Sequence, residues 1–274
     1  MHEECEVTAV AERACRVMGI VNVTPDSFSD GGRNFAPEDA ICRGREMIAD
    51  GADILDIGGE STRPGATPLD WQEEWRRISP VIDGLRGERC VLSVDTYHPE
   101  TAERAVVAGV KIVNCVYAEP IPAMLDFVRR STGVELVAPA SCLGGSVSAA
   151  DLGRVYLDPM IGFGTTREED LALLRGIAGL AEKGRVLVGA SRKRIVRALA
   201  GEEDTSLLLG GDIAIALWAA ANGASIVRVP DVKEVVQALR VWRRIEGVGS
   251  ERPCRSVEAG RGGKSEWPCR SVEI

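Results

Sequence analysis

The chain has 274 residues, 45% of them hydrophobic and 27% charged, with a formal net charge of −8. This is an ordinary globular composition, and its acidic balance excludes a general nucleic-acid binder. No apolar stretch reaches the roughly 20 residues that a bilayer span requires, and the acidic start Met-His-Glu-Glu-Cys-Glu lacks the apolar segment of a signal peptide, so a cytoplasmic protein without membrane partners is expected.

Short β-rich runs alternate with amphipathic helical stretches, the pattern of a parallel sheet with crossovers. The strands are expected at 16–22, 54–57, 91–95, 111–114, 135–138, 155–158, 186–189 and 225–229. Helices are expected at 37–50, 71–85, 99–108, 122–131, 167–183, 192–200 with 207–221, and 232–246. Pro37 and Pro99 stand where first-turn prolines belong. Gly51, Gly109, Gly133, Gly184 and Gly223 each lie between a helix and the next strand, as helix-ending glycines do.

Eight strands with repeated crossovers point to a closed (β/α)8 TIM barrel, for which about 250 residues is typical. An open doubly wound sheet is disfavoured because no GxGxxG follows the first strand. The crossover at 139–154 is glycine- and serine-rich and leaves room for at most one helical turn. The barrel is assigned to residues 1–246 and a flexible tail to 247–274, where Pro-Cys-Arg-Ser-Val-Glu occurs at 253–258 and again at 268–273. The eight cysteines show neither a CxxC pair nor zinc spacing, and most sit in or beside apolar runs, as reduced core thiols do.

Polar motifs recur at the ends of the apolar runs. The first is Val21-Asn-Val-Thr-Pro-Asp-Ser-Phe-Ser-Asp-Gly-Gly32. After it come Asp56-Ile-Gly-Gly-Glu-Ser-Thr-Arg-Pro-Gly65, Ser93-Val-Asp-Thr96, Asn114, Asp158-Pro-Met-Ile-Gly-Phe-Gly164, Ser191-Arg-Lys193 and Arg228. In a parallel barrel these strand ends face one mouth, so the motifs collect there from distant parts of the chain.

In this order the motifs resemble the dihydropteroate synthase family over nearly the whole barrel, from about Arg16 to Glu246. The resemblance implies condensation of 6-hydroxymethyl-7,8-dihydropterin diphosphate with p-aminobenzoate. It makes Asp95 and Lys193 the catalytic candidates and Thr62, Asp95, Asn114, Asp158 and Lys193 the pterin contacts. It assigns Asn22, Arg63 and Arg228 to the diphosphate, Asn22 also to Mg²⁺, and Ser191 and Arg194 to the arylamine. It further implies a homodimer through the later helices. The residue types suit the chemistry, since carboxylates and amides pair with a pterin's amide edge and Asp95 can stabilise developing positive charge. A bland alternative for each strand-end carboxylate is a cap on the following helix. Glycines 31, 32, 58, 59 and 65 would give the first two loops the mobility of a lid.

The chain also departs from the family. After strand five, Met-His-Met-Arg-Gly is replaced by Ala138-Pro-Ala-Ser-Cys-Leu-Gly144, and an aspartate after Asn114 is replaced by Cys115. Asp-Pro-Gly has become Asp158-Pro-Met160, and Gly-Phe-Gly-Lys has become Gly162-Phe-Gly-Thr165. Ser-Arg-Lys-Ser reads Ser191-Arg-Lys-Arg194 and Arg-Val-His-Asp reads Arg228-Val-Pro-Asp231. A divergent synthase using p-aminobenzoate or a modified arylamine is the expected reading. A non-catalytic pterin-binding paralogue and a methyl-tetrahydropterin:corrinoid methyltransferase are the competing ones.

Overall fold

The computed structural model of the chain describes residues 15–23, 37–60 and 68–247. Eight parallel strands run β1 (Arg16–Asn22), β2 (Ile54–Gly58), β3 (Val91–Asp95), β4 (Ile112–Asn114), β5 (Glu135–Pro139), β6 (Val155–Asp158), β7 (Arg185–Val188) and β8 (Ile226–Val229). Each pairs with the next, and β8 pairs back onto β1 to close the barrel. The helices are α1 (Pro37–Asp50), α2 (Trp71–Leu85), α3 (Pro99–Val107), α4 (Ile121–Arg130), α5 (Arg167–Arg175), α6 (Ile177–Ala181), α7 (Arg194–Ala200), α8 (Leu209–Ala221) and α9 (Val232–Ile245).

The expected helix at 167–183 is broken at Gly176, which separates α5 from α6. The crossover from β5 to β6 carries no α-helix; it makes two single 3₁₀ turns, Ala140–Cys142 and Ala149–Asp151. Of the five expected helix-ending glycines, Gly51, Gly109, Gly133 and Gly223 take positive φ, whereas Gly184 does not. Positions 248–274, which hold the tail repeat, lie outside the described residues.

Alternation along the strands divides the apolar side chains into two cores. The outward-facing set packs under the helices in one large buried cluster. The inward-facing set, Met18, Ile54, Ile112, Val137, Tyr156, Leu187 and Ile226, fills the barrel's waist and makes it a packed interior rather than a pore. Below the waist, at the strands' N-terminal ends, Arg16 and Arg185 both bond the Tyr156 hydroxyl, and Arg185 is ion-paired with Glu135. This charged knot stoppers one mouth. Above the waist the inward positions turn polar, and every described functional candidate lies at that end.

Candidate active site

Parallel register puts the rim residues side by side. Asn22 pairs with Gly58, Gly58 with Asp95, and Asp95 with Asn114, so four consecutive strands end at one level. One step lower, Asp56 lies beside Ser93. Gly58 has no side chain for a reason: a Cβ there would press on the Asp95 Cβ at 3.3 Å. At Gly59 a Cβ would overlap Ile78 at 2.8 Å. These two glycines therefore serve close packing, not the loop mobility expected of them, while positions 31, 32 and 65 lie outside the described residues.

Asp56 is the hub of the pocket. It is fully buried, and its carboxylate accepts from Ser93 Oγ at 2.6 Å, Asn114 Nδ2 at 2.9 Å and Arg228 Nε at 2.7 Å. Arg228 also donates through Nη2 to Asp95 at 2.7 Å, so its guanidinium bridges two carboxylates. Asn114 keeps its Oδ1 without a hydrogen-bond partner although the residue is buried. A buried acceptor left open is costly, and here it is available to an N–H donor of a ligand. Behind Asp95, the buried Glu74 accepts from the Thr96 hydroxyl at 2.7 Å.

On the far side of the mouth Asp158 accepts the Met160 N–H at 2.7 Å, and Lys193 reaches across to the Ile161 carbonyl at 2.6 Å. The Lys193 ammonium stands 4.2 Å from the centre of the Phe163 ring. Burial drives the electrostatics. It raises Asp95, against the Arg228 guanidinium and with help from Asp56, to about 7. Burial likewise raises Asp158, opposed by Lys193. Lys193 is lowered by burial to about 8, although Asp158 opposes the shift. For Arg228 burial alone would lower the value, but Asp56 and Asp95 outweigh it and push it up. Three carboxylates (Asp56, Asp95, Asp158) face two cations (Arg228, Lys193), which leaves the ionised pocket one negative charge in surplus.

The helix-cap alternative does not hold for Asp95 or Asn114, because the N-cap positions of α3 and α4 are occupied by His98 and Pro120. His98 is half-buried and bonds the Leu69 carbonyl at 3.0 Å. Arg192, Lys193 and Arg194 are neighbours in sequence but do not converge on one point. Arg192, in the left-handed region at φ 56°, gives its N–H to Asp212 and its guanidinium to Asp231. Arg194 bonds the Thr165 carbonyl. Ser191 is half-buried on the same turn, and Asn22 is exposed on the rim. Thr62 and Arg63 lie outside the described residues. Asp56 and Ser93 were missed as site residues, yet both stood in motifs at strand ends; Asp212, inside a helix, gave no comparable signal.

A family model described as "Pterin binding enzyme" matches residues 18–144 and 145–230. The dihydropteroate synthase of Neisseria meningitidis serogroup C is 35% identical over 84% of this chain and 92% of its own length. That of Streptococcus pyogenes serotype M6 is 38% identical over 82% and 93%. The chain belongs to the dihydropteroate synthase family of pterin-binding enzymes. Among solved structures, Xanthomonas albilineans dihydropteroate synthase with 4-aminobenzoic acid superposes with a TM-score of 0.76 at 38% identity, covering 86% of this chain and 95% of that one. The same enzyme with 7,8-dihydropteroate gives 0.73 at 35% identity, with the same coverage. The chain is thus a TIM-barrel transferase of the dihydropteroate synthase type.

Proposed function

We propose that the chain joins a dihydropterin diphosphate to p-aminobenzoate or a related arylamine, releasing diphosphate. The observation that carries this reading is the network in which Arg228 ties Asp56 to Asp95 while Asn114, held by Asp56, offers a free carbonyl oxygen. That oxygen and the Asp158 carboxylate suit the N–H groups of a pterin edge, and Lys193 donates to its acceptors. The methylene C–O bond breaks with its electron pair leaving on the diphosphate, and the surplus negative charge at Asp95 stabilises the pterin-methylene cation. The arylamine nitrogen then forms the new C–N bond and loses a proton to water or diphosphate.

Among the described residues no three acidic, histidine or cysteine side chains gather to hold a metal. Asn22 offers a neutral amide oxygen on the rim. Asn22 would hold a Mg²⁺ accompanying the diphosphate, and such an ion would neutralise the leaving group's charge. The exposed Leu199, Leu207, Leu209 and Trp218 along α7, the turn after it and α8 support a homodimer through the later helices, which sedimentation analysis tests. The buried, unpaired thiols of Cys15, Cys115 and Cys142 support a reducing, cytoplasmic setting.

Purified protein with Mg²⁺, dihydropterin diphosphate and p-aminobenzoate is expected to release diphosphate and form dihydropteroate. Asp95→Ala and Lys193→Ala are expected to lower kcat at least a hundredfold. Tight pterin binding with no diphosphate release from any arylamine would replace this reading with that of a non-catalytic paralogue.

A further inference from the structure

The loop joining β6 to α5 and the turn ahead of α7 are wrapped around Lys193. The Ile161 carbonyl accepts its amine, the Phe163 ring faces its charge, and Gly162 packs on its stem so tightly that a Cβ would come within 2.9 Å of Lys193 Cδ. Gly162 sits at φ 78° and Met160 at φ 64°, so this stretch of backbone needs to be held in shape.

Asp170, in the first turn of α5, does the holding. It is fully buried, and its Oδ1 accepts both the Gly162 N–H at 2.7 Å and the Thr165 hydroxyl. Its Oδ2 has no hydrogen-bond partner and lies 3.7 Å from the Arg194 guanidinium. The same guanidinium donates to the Thr165 carbonyl. Two departures from the family motifs, Thr165 and Arg194, thus meet around one buried carboxylate.

We propose that Asp170 and Arg194 are positioning residues for Lys193: they hold the loop after β6 closed over the lysine, and Arg194 serves this loop rather than an arylamine carboxylate. The inference rests on the role given to Lys193 above, but its first test needs no turnover.

The amine of Lys193, one of five lysines in the chain, can be titrated by NMR after ¹³C-methylation, its resonance assigned with Lys193→Met. Its charged neighbours are Asp158, Arg228, Asp170 and Asp95. Losing the charge of Asp170 would by itself lower the amine's pKa, whereas release into solvent would raise it, so the two effects have opposite signs. In Asp170→Ala and Arg194→Ala, each confirmed as folded by thermal unfolding, the amine is expected to move up toward the ordinary lysine range. Asp170→Asn keeps an acceptor for Gly162 and Thr165, so it should not move up. In the synthase assay the two alanine variants should lose about tenfold in kcat with the arylamine KM within twofold, and Asp170→Asn should retain most of kcat. An unmoved amine in folded Arg194→Ala overturns the proposal. So does a tenfold rise in arylamine KM at unchanged kcat in that variant, which would return Arg194 to the substrate. If wild-type protein shows no synthase activity at all, the titration still decides the loop's role.

Discussion

At the scale of single residues, the pocket depends on Asp56 more than on the residues that face substrate. Truncating it leaves Arg228 with Asp95 as its one carboxylate partner and leaves Ser93 and Asn114 without their acceptor. Breaking one partner of a buried ion pair costs about 3–5 kcal/mol, so Asp56→Ala should lower stability by roughly 3 kcal/mol in chemical denaturation and lower kcat as well. A stable Asp56→Ala enzyme with normal kcat would remove Asp56 from its place as hub. The pH dependence follows from Asp95 and Lys193. In the proposed mechanism Asp95 works ionised and Lys193 protonated, so kcat/KM should climb through about 7 and fall beyond about 8. A profile flat from pH 6 to 9 contradicts this assignment. Stability carries the opposite sign for Asp95. The folded chain keeps that proton up to about 7, whereas the unfolded chain loses it near 3.8, so the group's contribution is full below pH 4 and is lost as pH rises to 7. Much of this was legible in advance: Asp95, Asn114, Asp158 and Lys193 follow strand ends and carry recognisable motifs. What stayed hidden was who holds whom. Arg228 reads as a lone cation in sequence, and only closure of the barrel sets β8 close enough to β2 and β3 for it to bridge Asp56 and Asp95.

At the scale of elements, β1 shows how the helices reach the sheet. A Cβ on Gly19 would lie 2.8 Å from Met47 Sδ and 3.0 Å from Val232 Cγ2, so α1 and α9 close on β1 only because this residue lacks a side chain. Overpacking of this kind costs about 1–3 kcal/mol. Gly19→Val should therefore lower the unfolding midpoint in urea, even though valine is the better strand former; an unchanged midpoint would mean the helices shift freely. Element type was readable from periodicity throughout, and β1, β3, β6, α1 and α2 have the bounds expected of them. The break at Gly176 was not, because an amphipathic pattern continues across a one-residue interruption and only packing decides whether the axis bends there.

At the scale of the whole molecule, the two ends of the barrel have opposite characters. Strand ends around the barrel bring carboxylates, two amides and cations to one mouth, while Arg16, Glu135, Tyr156 and Arg185 close the other over an apolar waist. Closure itself was expected from eight strands and their crossovers, but the stopper was not, since Arg16, Glu135 and Arg185 look in sequence like solvated residues at strand starts. The stopper has a consequence for traffic. With one end shut, both substrates and both products share a single doorway. On the proposed reading the pterin edge meets Asn114 and Asp158 inside the mouth and the arylamine joins above it, so a molecule seated outside would bar the way to the one that belongs inside. On that reading the architecture sets a binding order: the pterin is expected to go in before its partner, and diphosphate to clear the doorway before the joined product leaves. Initial-rate and product-inhibition patterns of a random-order mechanism would be incompatible with that queue.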